Sequence, residues 1–206
     1  MTTLDHPHHE TWPRTIRCKG NLDVTLRPMR EADIESVKAF FSDLPREDRL
    51  LLRYDVSRNA PFFEAFVMES LKDARFLRLL AFHEGRLVGH GLLEPDRHLW
   101  SPHVAEVRVI VRDDFKRHSL GSILLRELVD QAALRNFDKL TVHLMDGQMA
   151  VRKMCERLGF QVEAELKNHV KDLDGKKHTL VMMTCSLDDA WHAMELLLQD
   201  VAPWTC

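Results

Sequence analysis

The sequence is poor in the residues that build a crosslinked or zinc-stapled framework. Its four cysteines, Cys18, Cys155, Cys185 and Cys206, stand far apart and form no CxxC pair. Neither a disulfide scaffold nor a structural zinc site is therefore expected, and a reducing compartment fits this usage. Long apolar runs are missing as well. No stretch of the chain reaches the roughly 18 consecutive apolar residues of a membrane span. Met1 to Gly20 carries Asp, Glu and several His and lacks the apolar run of a signal peptide, so a cytoplasmic protein with no membrane partner is expected. There is no excess of one charge either. Twenty-nine basic side chains face 32 acidic ones, which gives no pull toward nucleic acid.

What the chain does have is the material for a core. Of its 206 residues 45% are hydrophobic and 30% charged, an ordinary globular balance that excludes wholesale disorder. The length suits one domain with short extra segments. Residues 1–20 are polar and Pro-containing and are expected to be a mobile arm, residues 21–186 the domain, and residues 187–206 a C-terminal helix and tail.

The pattern predicts a strand at Asp23–Leu26, a helix from Glu31 to Leu44 stopped by Pro45, and a helix over roughly 61–71. Strands follow at 75–82 and 86–93 around the turn His83-Glu84-Gly85, and at Val104–Val111. A long apolar helix is predicted over 119–136, a strand over 139–144, and a helix over 148–158 ended by Gly159. A hairpin over 160–171 and 176–185 turns at Asp174-Gly175. Ser186 and Asp189 read as a capping box that opens a last helix, with Leu187, Trp191, Met194, Leu198 and Val201 along one face. Helices alternating with strands around one mixed sheet give an α/β layer fold.

The chemistry concentrates in AEVRVIVRDDFKRHSLGSILLREL, residues 105–128. A hydrophobic strand runs into a basic loop, and the loop runs directly into an apolar helix. Helix starts carry unpaired N–H groups and the positive end of the macrodipole, which suits a phosphate. Lys116, Arg117 and His118 add positive charge, and Gly121 permits close backbone approach. A diphosphate-bearing ligand at this loop and a plain solvated surface loop are both compatible with these residues.

The same segment resembles motif A of the GNAT N-acetyltransferase superfamily, a V-x-V strand followed by R/Q-x-x-G-x-G/A. The matching residues are Val109-Ile110-Val111 and Lys116-Arg117-His118-Ser119-Leu120-Gly121. Gln148-Met149-Ala150-Val151 through Arg157-Leu158-Gly159-Phe160 resembles the family's motif B, and Leu26-Arg27-Pro28 with Asp33 its opening strand and helix. The resemblance covers residues 22–185. It implies a central, mostly antiparallel sheet flanked by helices, with the C-terminal helix as an addition. It implies acetyl-CoA or another acyl-CoA as cofactor. Val109, Ile110 and Val111 would pair with its pantetheine arm, and the amides of Arg117, His118, Ser119, Leu120, Gly121 and Ser122 would hold its pyrophosphate. Gln148, where the family usually has Asn, would lie near the pantetheine.

Two positions depart from the family pattern. Ser119 replaces the first loop glycine. If that site has positive φ, Ser is strained by about 1–2 kcal/mol; if not, its hydroxyl is free to donate to a phosphate. Cys155 stands where many relatives place a Tyr that protonates the leaving thiolate. It reads as a small core residue or as a thiol acid. Glu106 is the candidate base that would deprotonate an amine acceptor; it reads equally as a partner of Arg108 on the same strand face.

The resulting expectation is an N-acetyltransferase acting on an amine of a small molecule or a protein by direct attack. The alternatives are a non-catalytic acyl-CoA sensor and a domain that binds a partner through its last helix. The Trp191 stripe offers a surface for a homodimer. No metal site is expected: His6, His8 and His9 cluster without Cys or carboxylate at ligand spacing. His98 and His103 flank Trp100 in a loop that reads as acceptor-pocket lining or as surface.

Overall fold

The computed structural model describes residues 12–53 and 60–193. Eight strands form one sheet: β1 (Arg14–Cys18), β2 (Leu22–Pro28), β3 (Leu77–His83), β4 (Arg86–Pro95), β5 (Val104–Val111), β6 (Lys139–Met145), β7 (Gln161–Lys171) and β8 (Lys177–Ser186). Their spatial order is β1-β2-β3-β4-β5-β6-β8-β7. Only β5 and β6 run parallel; every other neighbouring pair is antiparallel.

Helices cover both faces. On one lie α1 (Ile34–Ser42), entered through a 3-10 turn at Glu31–Asp33, and α3 (Ala60–Ser70). Val37, Phe40, Phe41, Phe63 and Val67 pack there with Leu80 and Leu87 of the sheet. Arg27 of β2 fixes the entry to α1 by gripping the Asp33 carboxylate at 2.6 and 2.7 Å, and that carboxylate also accepts the Arg30 N–H at 2.7 Å. α1 ends at Ser42, short of the Pro45 expected to stop it, and Pro45 instead caps a further short helix, α2 (Arg46–Leu50).

On the other face lie α4 (Leu120–Leu134) and α5 (Met149–Arg157). Leu120, Leu124, Leu125, Leu128, Val129 and Ala132 recur at helical spacing and are all buried. Gly89 and Gly91 of β4 let α4 come close: a Cβ on Gly89 would lie 3.0 Å from Leu124 Cδ1, and one on Gly91 3.3 Å from Leu128 Cδ1. Residues 187–193 are helical, and Leu187, Ala190 and Trp191 pack on this same core. Ser186 caps them, its Oγ accepting the Asp189 N–H at 3.1 Å. The rest of the expected stripe, Met194, Leu198 and Val201, lies outside the described residues, as do His6, His8, His9 and Tyr54.

One boundary differs from expectation. The stretch anticipated as an arm contains β1, which pairs with β2 from Arg14↔Leu26 to Cys18↔Leu22. Arg14 points inward and pairs with Glu127 of α4, a carboxylate that is itself buried. A charge on the inward face breaks the apolar alternation by which a strand is recognised. No helix among the described residues is long and apolar enough to cross a membrane.

Candidate active site

The site begins with a parting of strands. β5 is paired to β4 along its whole length, from Pro95↔Ala105 to Gly89↔Val111. Against β6 it pairs only at Val104↔Lys139, Ala105↔Leu140 and Glu106↔Thr141. Beyond that point β6 stays with β8, pairing from Lys139↔Ser186 to Met145↔Leu180, so the edge of β5 opens from Val107 onward. The alternation of a β-ladder decides which groups face the gap. Arg112 N–H donates to the Val88 carbonyl at 3.0 Å, which sets Ile110 and Arg108 as residues bonded to β4. The main-chain groups of Val107, Val109 and Val111 therefore face the open side. Ile110 sends its side chain into the α1–α3 core instead.

The open edge ends at the basic loop. A 3-10 turn, Asp113–Phe115, leads to Lys116, and α4 starts at Leu120 with Ser119 as N-cap. Ser119 has φ 66 and ψ 0 and makes no side-chain cap bond, so the left-handed alternative holds. Arg117 also has φ 66. Left-handed residues of this kind turn successive amides toward one concavity, an anion-binding nest. Among the described residues no acceptor is bonded to the amides of Arg117, His118, Ser119, Leu120, Gly121 or Ser122, and Arg117 and Ser122 are exposed. The charges beside them are partly spent: Lys116 Nζ lies 2.7 Å from Asp48 of α2 and 3.2 Å from Asp113.

Glu106 sits where the strands part, with its side chain 13% exposed. Both readings of it meet here. Arg108 Nε lies 3.2 Å from Oε1, and Arg53, from the segment after α2, donates to Oε2 at 2.8 Å. Arg53 Nη2 is also 2.6 Å from Oε1, though outside hydrogen-bond geometry. Arg108 pairs on its other side with Glu94. Burial is the largest influence and raises the Glu106 pKa, but the nearby positive groups outweigh it and hold the carboxyl below its usual range. Foremost among those groups is His143, 3.4 Å from Oε2, followed by Arg108 and Arg53. Its Nδ1 is also 2.5 Å from Arg53 Nη2, so imidazole, guanidinium and carboxylate meet at one point.

The sequence model of the Acetyltransferase (GNAT) family matches residues 37–160, more than half of the chain. The chain belongs to the GNAT acetyltransferase family. Acetyl-CoA comes with that membership as acyl donor, and the residues fit it: six free amides suit a pyrophosphate and an open strand edge suits the amides of a pantetheine arm. Solved structures share the GNAT fold. Ribosomal-protein-alanine N-acetyltransferase from Brucella melitensis is 22% identical, with 78% of this chain and 98% of that one covered at a TM-score of 0.62. A spermidine N-acetyltransferase chimera from Vibrio cholerae and hSSAT is 15% identical, covering 82% and 98% at 0.68. YncA from Salmonella typhimurium, solved with its cofactor acetyl-CoA, is 20% identical, covering 80% and 94% at 0.63. No curated protein matches the sequence.

Within this GNAT chain, Gln148 is the N-cap of α5, and its Oε1 accepts the Met145 N–H at 2.8 Å. Its carbonyl is thus committed to its own turn, leaving the amide NH2 as the group free for a ligand. Cys155 is 1% exposed. Burial, and secondarily the Glu156 carboxylate, push its thiol up to about 12, too weak an acid to serve a leaving thiolate. It is a core residue. The loop holding His98, Trp100 and His103 lies at the start of β5, at the end opposite the basic loop, and Trp100 is 86% exposed. Trp100 faces solvent, while His98, Leu99 and Pro102 line a cleft with Glu69, Asp73 and Arg75. Among the described residues no cluster of three or more His, Cys, Asp or Glu is placed to hold a metal.

Arg53, His143 and Asp48 were not singled out in the sequence. His143 carried the one usable signal, a polar residue alternating with Leu140, Val142 and Leu144 in an otherwise apolar strand. Arg53 and Asp48 carried none, because their partners lie 53 and 68 residues away.

Proposed function

We propose that this chain transfers the acetyl group of acetyl-CoA to the amine of a small molecule or protein by direct attack. The observation that carries the reading is the short β5–β6 pairing, three residues long, beside the six unbonded amides of the loop. Acetyl-CoA supplies an activated acetyl thioester. The amides of Arg117 to Ser122 bind its pyrophosphate, and the open groups of Val107, Val109 and Val111 align its arm as an added strand does. Outward N–H groups of β5 stabilise charge on the reacting carbonyl oxygen.

Glu106 holds the acceptor. Its carboxylate is ionised at neutral pH and attracts the ammonium form of an amine. The proton must leave before the nitrogen attacks, and Glu106 accepts it, directly or through water, and returns it to solvent. The acceptor nitrogen bonds to the acetyl carbon as the C–S bond breaks, and the departing thiolate is protonated by solvent. Neighbours of near-equal fold similarity are named for a ribosomal-protein alanine and for spermidine, so the fold by itself does not select the acceptor. The test is CoA release from acetyl-CoA across a panel of polyamines, amino acids and peptides, with donor binding followed by calorimetry. Binding with amine-dependent release supports the reading; binding without release for any amine refutes it.

A further inference from the structure

The basic loop is tied to a part of the chain that the family match does not include. The turn between β1 and β2, Lys19-Gly20-Asn21, precedes residue 37, where that match begins. Lys19 makes two reciprocal bonds with His118. Its N–H donates to the His118 carbonyl at 3.1 Å, and His118 Nδ1 donates to the Lys19 carbonyl at 2.9 Å, since a carbonyl only accepts. Gly20 sits under the imidazole with φ +82, and a Cβ there would lie 3.3 Å from His118 Nδ1. The ring is thereby seated on a turn that excludes a side chain.

The tether has a directional consequence. In a trans peptide the C=O and the following N–H lie in one plane and point opposite ways. With the His118 carbonyl fixed on Lys19, the Ser119 N–H points away from the β1–β2 hairpin. That hairpin lies on the β4 side of β5, and the strands part on the β6 side. The amide is left unbonded on the side away from that hairpin. Both residues flanking His118 are left-handed and neither is glycine, a backbone state that persists only when surroundings enforce it.

We infer that His118 is a positioning residue, which, through its paired bonds to Lys19 of the β1–β2 turn, holds the strained 117–119 backbone with its amides presented to the donor's pyrophosphate. The inference rests on the pyrophosphate seat proposed above. It explains how a serine works where the family pattern has glycine: the hairpin enforces a conformation that glycine would adopt unaided.

The test compares acetyl-CoA with S-acetylpantetheine, which lacks the pyrophosphate. His118→Ala should raise KM for acetyl-CoA about five- to tenfold, the worth of one neutral hydrogen bond, with a smaller effect on kcat. The preference for acetyl-CoA over S-acetylpantetheine should shrink by the same factor. His118→Asn, whose amide nitrogen falls near the position of Nδ1, should restore most of the loss, and so should Ser119→Gly in the His118→Ala background. Far-UV circular dichroism checks that each variant is folded. If His118→Ala and His118→Asn behave alike, if both donors lose equally, or if Ser119→Gly rescues nothing, the positioning role is refuted. If the wild-type protein itself does not distinguish the two donors, the pyrophosphate seat fails first and the inference with it.

Discussion

Gly89→Ala tests the contact that seats α4 on the sheet. The new methyl would meet Leu124 Cδ1 at 3.0 Å, Ala81 Cβ at 3.2 Å and Leu120 Cδ2 at 3.3 Å. None of these can yield easily: Leu124 and Ala81 are 0% exposed and Leu120 is 1% exposed, and an Ala Cβ moves only with its backbone. Overpacking of this kind costs about 1–3 kcal/mol. Gly89 has ordinary φ, so alanine also gains about 0.4–1 kcal/mol by restricting the unfolded chain. The overpacking term wins, leaving a net loss of about 1–2 kcal/mol, or roughly 2–8 °C in Tm for a domain of this size. At Gly91 the nearest atoms are all on the Leu128 side chain, at 3.3 to 3.5 Å, and the two effects should nearly cancel. Urea denaturation followed by circular dichroism, with m-values compared, measures both. Leu120 is the first residue of α4, so Gly89→Ala should also raise KM for acetyl-CoA by shifting the adjoining amides. A Gly89→Ala protein as stable as wild type, or a Gly91→Ala protein less stable than Gly89→Ala, would refute the packing argument.

Glu106→Gln is expected to lower kcat by about 10²- to 10⁴-fold, the range for a positioned base, with acetyl-CoA affinity nearly unchanged; equal turnover of mutant and wild type from about pH 6 to 9 would remove Glu106 from the chemistry. Cys155, with its thiol pushed up to about 12, should resist iodoacetamide in the folded protein and react fully in denaturant, as read by peptide mapping, and Cys155→Ala should retain turnover. His178 donates toward Asp172 and Asp146, at 2.9 and 3.0 Å, and these bonds, that to Asp172 foremost, raise its pKa above 6.5. A raised folded-state pKa contributes stability that is fully present below the unfolded value and lost as pH rises through the folded one. His178→Gln should therefore destabilise the protein more at pH 6 than at pH 9, and equal losses at both would contradict the assignment.

Elements with a clean period were legible in the sequence. Leu120, Leu124 and Leu128 announced α4, and the β-branched run Val104–Val111 matched β5 residue for residue. The basic loop at the head of α4 was legible for the same reason, since a helix start is written in local sequence. Three things were not. β1 was obscured by Arg14, whose inward charge is satisfied by Glu127, 113 residues away. The parting of β5 from β6 is a matter of which neighbour β6 follows, and that is decided by β8, far along the chain. The electrostatic setting of Glu106 depends on Arg53, which only the folded chain brings to it. Local periodicity thus located the loop and the strand, while the gap between strands and the charges around it arise from long-range pairing.

The three-residue seam between β5 and β6 divides the sheet mechanically. Strands β1 to β5 form one plate and β6, β8 and β7 another. What spans the mouth between the plates is the segment 46–53, held by Arg46 to Asp174 at the tip of the β7–β8 hairpin and by Asp48 to Lys116 of the basic loop. Arg53 reaches His143 on one plate and Glu106 on the other. These links are ionic or polar, so dissolved salt weakens the ones that water reaches, whereas the apolar core that runs beneath both plates is indifferent to it. Ionic strength thus becomes a handle on how firmly segment 46–53 is held across the mouth, while the core shared by both plates keeps the fold itself intact.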